Sequence, residues 1–226
     1  MTTEFSQLNL DPELVQSVAE LGYITPTDIQ SKVIPLMLTG KDVIAQSQTG
    51  SGKTAAFALP ILQDLIYGGS LHSVQILVLT PTRELAIQVA KAIGQYGCHL
   101  QVEVMAVYGG QSYGISKRRI KKGVDVIVGT PGRLQDLMRQ KILDLSSVRT
   151  VILDEADEML SMGFIEDIQN ILSETPAKRQ TTLFSATIPK TIRRLADNYM
   201  IEPQPITIDR KHLTVARQSP PGAKLT

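Results

Sequence analysis

Lys53 and Thr54 close the run Ser47-Gln48-Thr49-Gly50-Ser51-Gly52-Lys53-Thr54, where two glycines, an ammonium and a hydroxyl stand at the spacing of a phosphate-binding loop. Gly50 and Gly52 let successive backbone N–H groups converge on phosphate oxygens, Lys53 reaches the β- and γ-phosphates, and the Thr54 hydroxyl ligates Mg²⁺. Gly-Lys-Ser/Thr turns up by chance in about one chain in ten of this length. Ser47 also stands where the strict pattern has Gly, so an ordinary glycine turn is the competing reading. A second constellation bears on the choice. Asp154-Glu155-Ala156-Asp157 directly follows the apolar run Val151-Ile152-Leu153, and a carboxylate at the end of a buried strand is where Mg²⁺ needs a ligand. Asp154 would serve directly or through water, and Glu155 beside it would accept a proton from, or orient, the water that attacks a γ-phosphate. For this tetrapeptide alone, acidic residues favoured by a helix N-terminus are the alternative.

Both constellations need strands that end where they begin. Residues 42–45 precede the glycine loop as a short apolar run, and Ala55, Ala56, Phe57, Leu59, Ile61, Leu62 and Leu65 follow it with helical spacing. Further short, β-branched runs at 74–79, 102–107, 124–128, 151–153 and 182–184 suit strands buried on both faces. Helical patterns lie between them at 84–96, 113–121, 134–139, 164–172 and 190–199, and a last possible strand lies at 206–208. Upstream, Asp11-Pro12-Glu13 reads as a helix start, with Leu14, Val15, Val18 and Leu21 on one face and Gly22 as the stop, and a second helix is expected over 28–38. Strand-helix alternation predicts an α/β fold, a RecA-like P-loop domain with a mostly parallel central sheet and helices on both faces.

The chain has 226 residues, 42% of them hydrophobic, enough for one core and too few for two ordinary α/β domains. Its formal net charge of +1 means that contact with nucleic acid must be local. A single cysteine, Cys98, excludes an internal disulfide and a Cys-based zinc site and fits a reducing compartment. With no membrane-length apolar run and no signal-peptide pattern, a cytoplasmic location is expected. Residues 209–226, with Ser219-Pro220-Pro221-Gly222, have the composition of a linker or an added tail.

Six motifs in order, residues 47–54, Pro81-Thr82-Arg83-Glu84-Leu85-Ala86, Gly109-Gly110, Thr130-Pro131-Gly132-Arg133, Asp154-Glu155-Ala156-Asp157 and Ser185-Ala186-Thr187, resemble those of DEAD-box ATP-dependent RNA helicases. The match spans nearly the whole chain, and the text at 159–168 looks like the bacterial cold-shock branch, part of it shared with translation-initiation relatives. The one departure is Ser47, where that family usually has Ala. The resemblance implies the N-terminal RecA-like domain, with residues 1–31 as an adenine-reading region packed on a 32–208 core. In Gly22-Tyr23-Ile24-Thr25-Pro26-Thr27-Asp28-Ile29-Gln30 it assigns Tyr23, Thr25 and Gln30, with the upstream aromatic Phe5, to adenine. An amide can pair with N6 and N7 of adenine, as guanine cannot match, and a ring can stack on the base. Read without it, Gln30 is a polar helix residue and Phe5 a core anchor.

The resemblance also implies RNA contacts at Pro81, Thr82, Arg83, Gly109, Gly110, Gln111, Thr130, Pro131, Gly132 and Arg133, to backbone and 2′-OH rather than base sequence. Structural ion pairs are the alternative for the two arginines. Asp157, Ser185 and Thr187 would link nucleotide state to the RNA surface. ATP and Mg²⁺ are the implied cofactors, and RNA and a second RecA-like domain the implied partners. That second domain would carry the arginines facing the γ-phosphate, so a chain of this span is expected to be monomeric and nearly inactive by itself. An ATP-switched RNA clamp and a DNA-acting ATPase are the rival functions. Other features are read as structural. The run Lys117-Arg118-Arg119-Ile120-Lys121-Lys122 suits a solvated helix face, with diffuse attraction to RNA as the remainder. His72, His99 and His212 suit surface or loop positions, Cys98 a buried or half-buried one, and Met159 and Met162 packing.

Overall fold

A computed structural model describes residues 4–48, 50–68 and 73–208; Thr49, His72, His212 and the 209–226 segment lie outside the described residues. Its elements run in chain order: a 3-10 turn Phe5–Gln7, α1 Pro12–Glu20, α2 Asp28–Leu38, β1 Val43–Gln46, α3 Lys53–Gly68, β2 Ile76–Leu79, α4 Arg83–Tyr96, β3 Val104–Val107 and α5 Tyr113–Lys122. Then follow β4 Val126–Gly129, α6 Pro131–Arg139, β5 Thr150–Leu153, α7 Ala156–Ser161, α8 Ile165–Ser173, β6 Gln180–Ser185, α9 Lys190–Tyr199 and β7 Gln204–Thr207. The strands form one sheet in the order β3-β4-β2-β5-β6-β1-β7, and every pair is parallel.

The side-chain alternation of each strand feeds two cores, one per face. Ile76, Val78, Ile152 and Phe184 point to one face, where they meet Leu14 of α1, Val33 of α2, Phe57 of α3 and Val89 of α4. Leu77, Leu79, Val151 and Leu183 point to the other, against Leu134 and Leu137 of α6, Met159 of α7, Ile168 of α8 and Leu195 of α9. The rings of Phe57 and Phe184 lie 5.4 Å apart between centroids at 52°, so the helix that begins at the glycine loop is clamped onto β6.

Local chemistry sets the ends. Asp11 caps α1 by accepting from Glu13 N, with Pro12 at the first turn. α6 starts at Pro131, three residues before the apolar pattern suggests, because proline's fixed φ suits a first helical turn. The last strand covers Gln204–Thr207 and not 206–208. Gln204 N donates to Asp42 O and Ile208 N to Gln46 O, so the position of Pro205 that lacks an N–H faces away from β1 on the sheet edge. Two expectations are corrected. Cys98 is exposed, because it lies in the turn just past Gly97, which caps α4. Met162 is 47% exposed because it caps the short α7, whereas Met159 is fully buried.

The Phe57 contact carries a prediction. Phe57→Ala should lower unfolding free energy by about 3–5 kcal/mol, since it empties a fully buried ring site. Urea denaturation followed by circular dichroism measures it, and a loss below about 1 kcal/mol would show that α3 is not held by this ring.

Candidate functional site

The carboxyl ends of β1, β6 and β5 lie side by side, and each opens onto one of the sequence-predicted segments. After β1 comes the glycine loop. Gly50 and Gly52 have φ of +77° and +90°, a region that favours glycine, so their spacing is a requirement of the turn. Ser51 Oγ donates to Gln48 O at 2.9 Å and lies 3.3 Å from Ser47 Oγ, which gives the departing Ser47 a buried partner inside the loop. Ser47 N donates to Ser185 O at 3.0 Å, fixing the base of the loop to β6.

Lys53 opens α3 and is only 7% exposed. Its Nζ lies 3.8 Å from Asp154 Oδ1 and 3.9 Å from Glu155 Oε1, so the two constellations of the sequence meet as one charged cluster. Glu155 takes φ 53° and ψ 52° at the start of α7, a left-handed conformation that turns the chain at the strand end and sends Asp154 and Glu155 to the same cation. Asp154 is 2% exposed, and its Oδ1 has no hydrogen-bond partner. Burial pushes its carboxyl up to about 6, against the pull of Lys53 and with a smaller push from Glu155. The Asp154 Oδ1 oxygen thus has an ion-pair contact with Lys53 but no hydrogen bond, and with the half-buried hydroxyl of Thr54, the residue after Lys53, it is a donor type that suits a hard divalent cation.

The adenine-reading candidates divide. Gln30 is 5% exposed; its side-chain oxygen accepts from Thr27 N at 2.8 Å and its nitrogen donates to Gly52 O at 3.1 Å. Thr27 Oγ1 donates to Ser51 O at 2.9 Å. A Cβ on Gly52 would sit 2.6 Å from Gln30 Nε2, so the amide and the loop are packed directly together. Thr27 is a residue that motif reading passed over, although Thr27-x-x-Gln30 carries the spacing of a capping box, which the structure forms. Tyr23 is 50% exposed, 6.4 Å between centroids from Tyr96, and Thr25 is exposed. Phe5, by contrast, is 3% exposed within the core, where its ring packs as an anchor.

A second group gathers at the carboxyl ends of β2, β4 and β3. Pro81 and Pro131 are buried, Thr82 caps α4 by accepting from Leu85 N, and Thr130 stands at the start of α6. Among the described residues no ion pair holds Arg83 or Arg133. Aromatic rings hold them instead. The Arg83 guanidinium lies 4.8 Å from the Tyr108 ring centroid and that of Arg133 3.8 Å from Tyr113. Arg133 also donates to Gln111 O, while its buried Nε has no partner. Gln111 accepts from Tyr108 N and donates to Ala106 O, closing the turn that contains Gly109 and Gly110. Beside both Gly109 and Gly132 an added Cβ would meet nothing within 4 Å, so the backbone there is open to a close neighbour. Tyr108 and Tyr113 had no motif to mark them.

Asp157, Ser185 and Thr187 do converge. The Asp157 carboxylate accepts from Thr187 N and Thr187 Oγ1, each at 2.9 Å, and from Ala186 N at 3.4 Å. Asp157 N donates to Ser185 Oγ, which donates on to Thr187 O. Burial raises the carboxyl, but the hydrogen bonds from Ser185, Thr187 and Ala186 outweigh it and hold Asp157 below the ordinary carboxylate range.

Glycine loop, buried Lys53 and strand-end carboxylates on a parallel sheet define a RecA-like P-loop domain. Residues 27–195 match the family described as DEAD/DEAH box helicase, and the chain belongs to that family. It is 49% identical over 207 residues to ATP-dependent RNA helicase DeaD of Escherichia coli, covering 91% of this chain and 33% of that protein. It is 50% identical over 213 residues to DEAD-box ATP-dependent RNA helicase CshA of Bacillus cereus, covering 94% and 40%. The chain thus spans well under half the length of these relatives. A crystal structure of a DEAD box protein from Methanococcus jannaschii superposes with a TM-score of 0.85 at 40% identity, covering 90% of this chain and 55% of that one. Among the described residues no helix is long and apolar enough to cross a membrane.

Asp154 yields a pH prediction. Its folded carboxyl, at about 6 against an ordinary 3.8, binds its proton more tightly than in the unfolded chain. Stability from this group is therefore full below about 4 and lost as pH rises through 6; the gap corresponds to about 3 kcal/mol. Asp154→Asn should be more stable than the parent at pH 8 by up to that amount, and the advantage should shrink toward pH 4. Paired thermal melts without nucleotide or Mg²⁺ measure it, and an equal difference at both pH values would contradict the assignment.

Proposed function

We propose that this chain is one RecA-like half of an ATP-dependent RNA helicase. The observation that carries the reading is the buried meeting of Lys53 with Asp154 and Glu155 on the sheet edge that also presents the Arg83, Gly109 and Arg133 surface. Loop N–H groups from Gly50 to Thr54 cradle the phosphates, and Lys53 neutralises the charge that builds on the β- and γ-oxygens. Thr54 and Asp154 would hold Mg²⁺, which supplies charge neutralisation across the phosphates when bound. Glu155 orients the attacking water and takes its proton.

Gln30 reads adenine with the second amide hydrogen and second oxygen lone pair that Gly52 and Thr27 leave over. The same side chain thereby passes base occupancy to the loop. Tyr23 and Thr25 bound the base from the exposed side, and Phe5 supports the segment from the core. One RNA strand lies along Thr82, Arg83, Gly109, Gly110, Gln111, Thr130, Gly132 and Arg133, with the N-termini of α4 and α6 facing its phosphates. Asp157 joins the two sites through Ser185 and Thr187. Coverage of 33% and 40% of the relatives supports a parent with a second RecA-like domain, and an arginine from across such a cleft is worth about 10³–10⁵ in rate.

The test is steady-state ATPase with saturating RNA. This chain alone should turn over barely above background, and the chain extended through a second RecA-like domain should show RNA-stimulated hydrolysis. Glu155→Gln in the extended protein should keep ATP binding while turnover falls about 10²-fold or more. Robust, RNA-stimulated turnover by the chain alone would overturn the half-enzyme reading.

A further inference from the structure

Helix α5 carries five cations, Lys117, Arg118, Arg119, Lys121 and Lys122, and no carboxylate. The remaining 18 of the 23 Lys and Arg residues face 22 Asp and Glu, so the rest of the chain is net acidic and the near-neutral total hides one concentrated positive patch. All five side chains are exposed, and none forms an ion pair among the described residues. Arg119 is partly committed, donating to Val104 O on the edge strand. Lys121 is the helical neighbour of Lys117 at i+4 and of Arg118 at i+3, so the three fill an outward arc of about 100° that leaves buried Ser116 to the other side.

The position of the helix is as informative as its charge. Its N-cap, Ser112, follows Gly109, Gly110 and Gln111 directly, and its first residue, Tyr113, is the ring under the Arg133 guanidinium. The helix then leads away from the strand-end surface for about 15 Å, back toward the start of β4. Its first cation, Lys117, follows one helical turn after Tyr113, about 6 Å along the axis from the residue under Arg133.

We propose that the Lys117, Arg118 and Lys121 face of α5 is a phosphate-binding rail for single-stranded RNA that continues beyond the strand-end surface. The inference rests on the RNA reading of that surface and deepens it. Unpaired exposed lysines and arginines bind a polyanion by releasing its condensed counterions, a contribution that is blind to sequence and grows with each phosphate reached. The gain therefore belongs to RNA long enough to leave the strand-end surface and run along α5. A short strand, seated only against Gly109, Gly110 and Thr130, gains nothing from it.

The experiment uses two oligouridylates, one that fills only the strand-end surface and one long enough to run the length of α5. Their affinities are measured by fluorescence anisotropy across a salt series. The Lys117→Gln/Arg118→Gln/Lys121→Gln chain removes three exposed charges without buried contacts and should melt like the parent. It should bind the long strand more weakly, with the slope of log K against log salt reduced by about 2, near 0.7 per lost single-strand phosphate contact, and bind the short strand as the parent does. Arg83→Gln should weaken both strands. Equal binding of the long strand by the triple variant and the parent would overturn the rail, as would equal weakening of both strands, which is the mark of a diffuse field. Loss of polyglutamate binding with RNA binding intact would assign the face to an acidic protein instead. If the parent binds neither strand at low salt, the RNA reading itself fails; an unaffected Arg83→Gln with an intact α5 effect would fail the strand-end surface alone.

Discussion

A buried ammonium can be tolerated only where carboxylates meet it, and the placement of Lys53 against Asp154 and Glu155 organises the rest of the domain. The two partners are 101 residues apart in the chain, counting from Lys53 to Asp154. Only a parallel sheet brings a loop after β1 and a turn after β5 to the same edge, with β6 between them. The cluster is not arranged for stability. Burial pushes Asp154 up to about 6 despite Lys53, and its Oδ1 meets Lys53 without a hydrogen bond, a desolvation cost that a cation bound there would relieve.

The sheet order divides the edge by task. β5, β6 and β1 present the charged cluster, and β2, β4 and β3 present the proposed RNA surface, so β2 and β5 are the seam. β6 is the strand that ties the glycine loop to Asp157. Ser185 O holds the loop at Ser47 N, while Ser185 Oγ accepts from Asp157 N and Thr187 donates to the Asp157 carboxylate. Ser47 and Asp157 are thus two hydrogen bonds apart through Ser185, the route by which a shift of the loop would reach Asp157. On the outer side of the loop, Gln30 and Thr27 grip the carbonyls of Gly52 and Ser51, so the N-terminal segment and the core share one rigid turn.

Much of this was legible in the residues because it rests on local rules. The apolar stretches Val126–Val128 and Val151–Leu153 suit strands covered on both sides, and the glycine spacing at 50 and 52 matches two positive φ values. The convergence of Asp157, Ser185 and Thr187 was carried by family resemblance rather than by physics. What escaped were features decided by tertiary context. Tyr108 and Tyr113 carry no motif, yet their rings, and not the carboxylates of the alternative ion-pair reading, hold Arg83 and Arg133. Resemblance alone assigns Phe5 to adenine, and its burial in the core accords with the other reading of it as an anchor. The sequence pattern places the last strand at 206–208, whereas it begins at Gln204, because on the free edge beside β1 the N–H that Pro205 lacks is not needed.

The central claim is that Lys53 and its carboxylates form a phosphate site rather than a structural ion cluster. Titration calorimetry with a non-hydrolysable ATP analogue and with adenosine, on the parent and on a folded Lys53→Gln chain, separates the two. The account predicts that the triphosphate loses about tenfold or more in affinity, as expected when a charge-assisted contact is removed, while adenosine binds unchanged. Equal loss for both ligands, or no loss for the triphosphate, would contradict it.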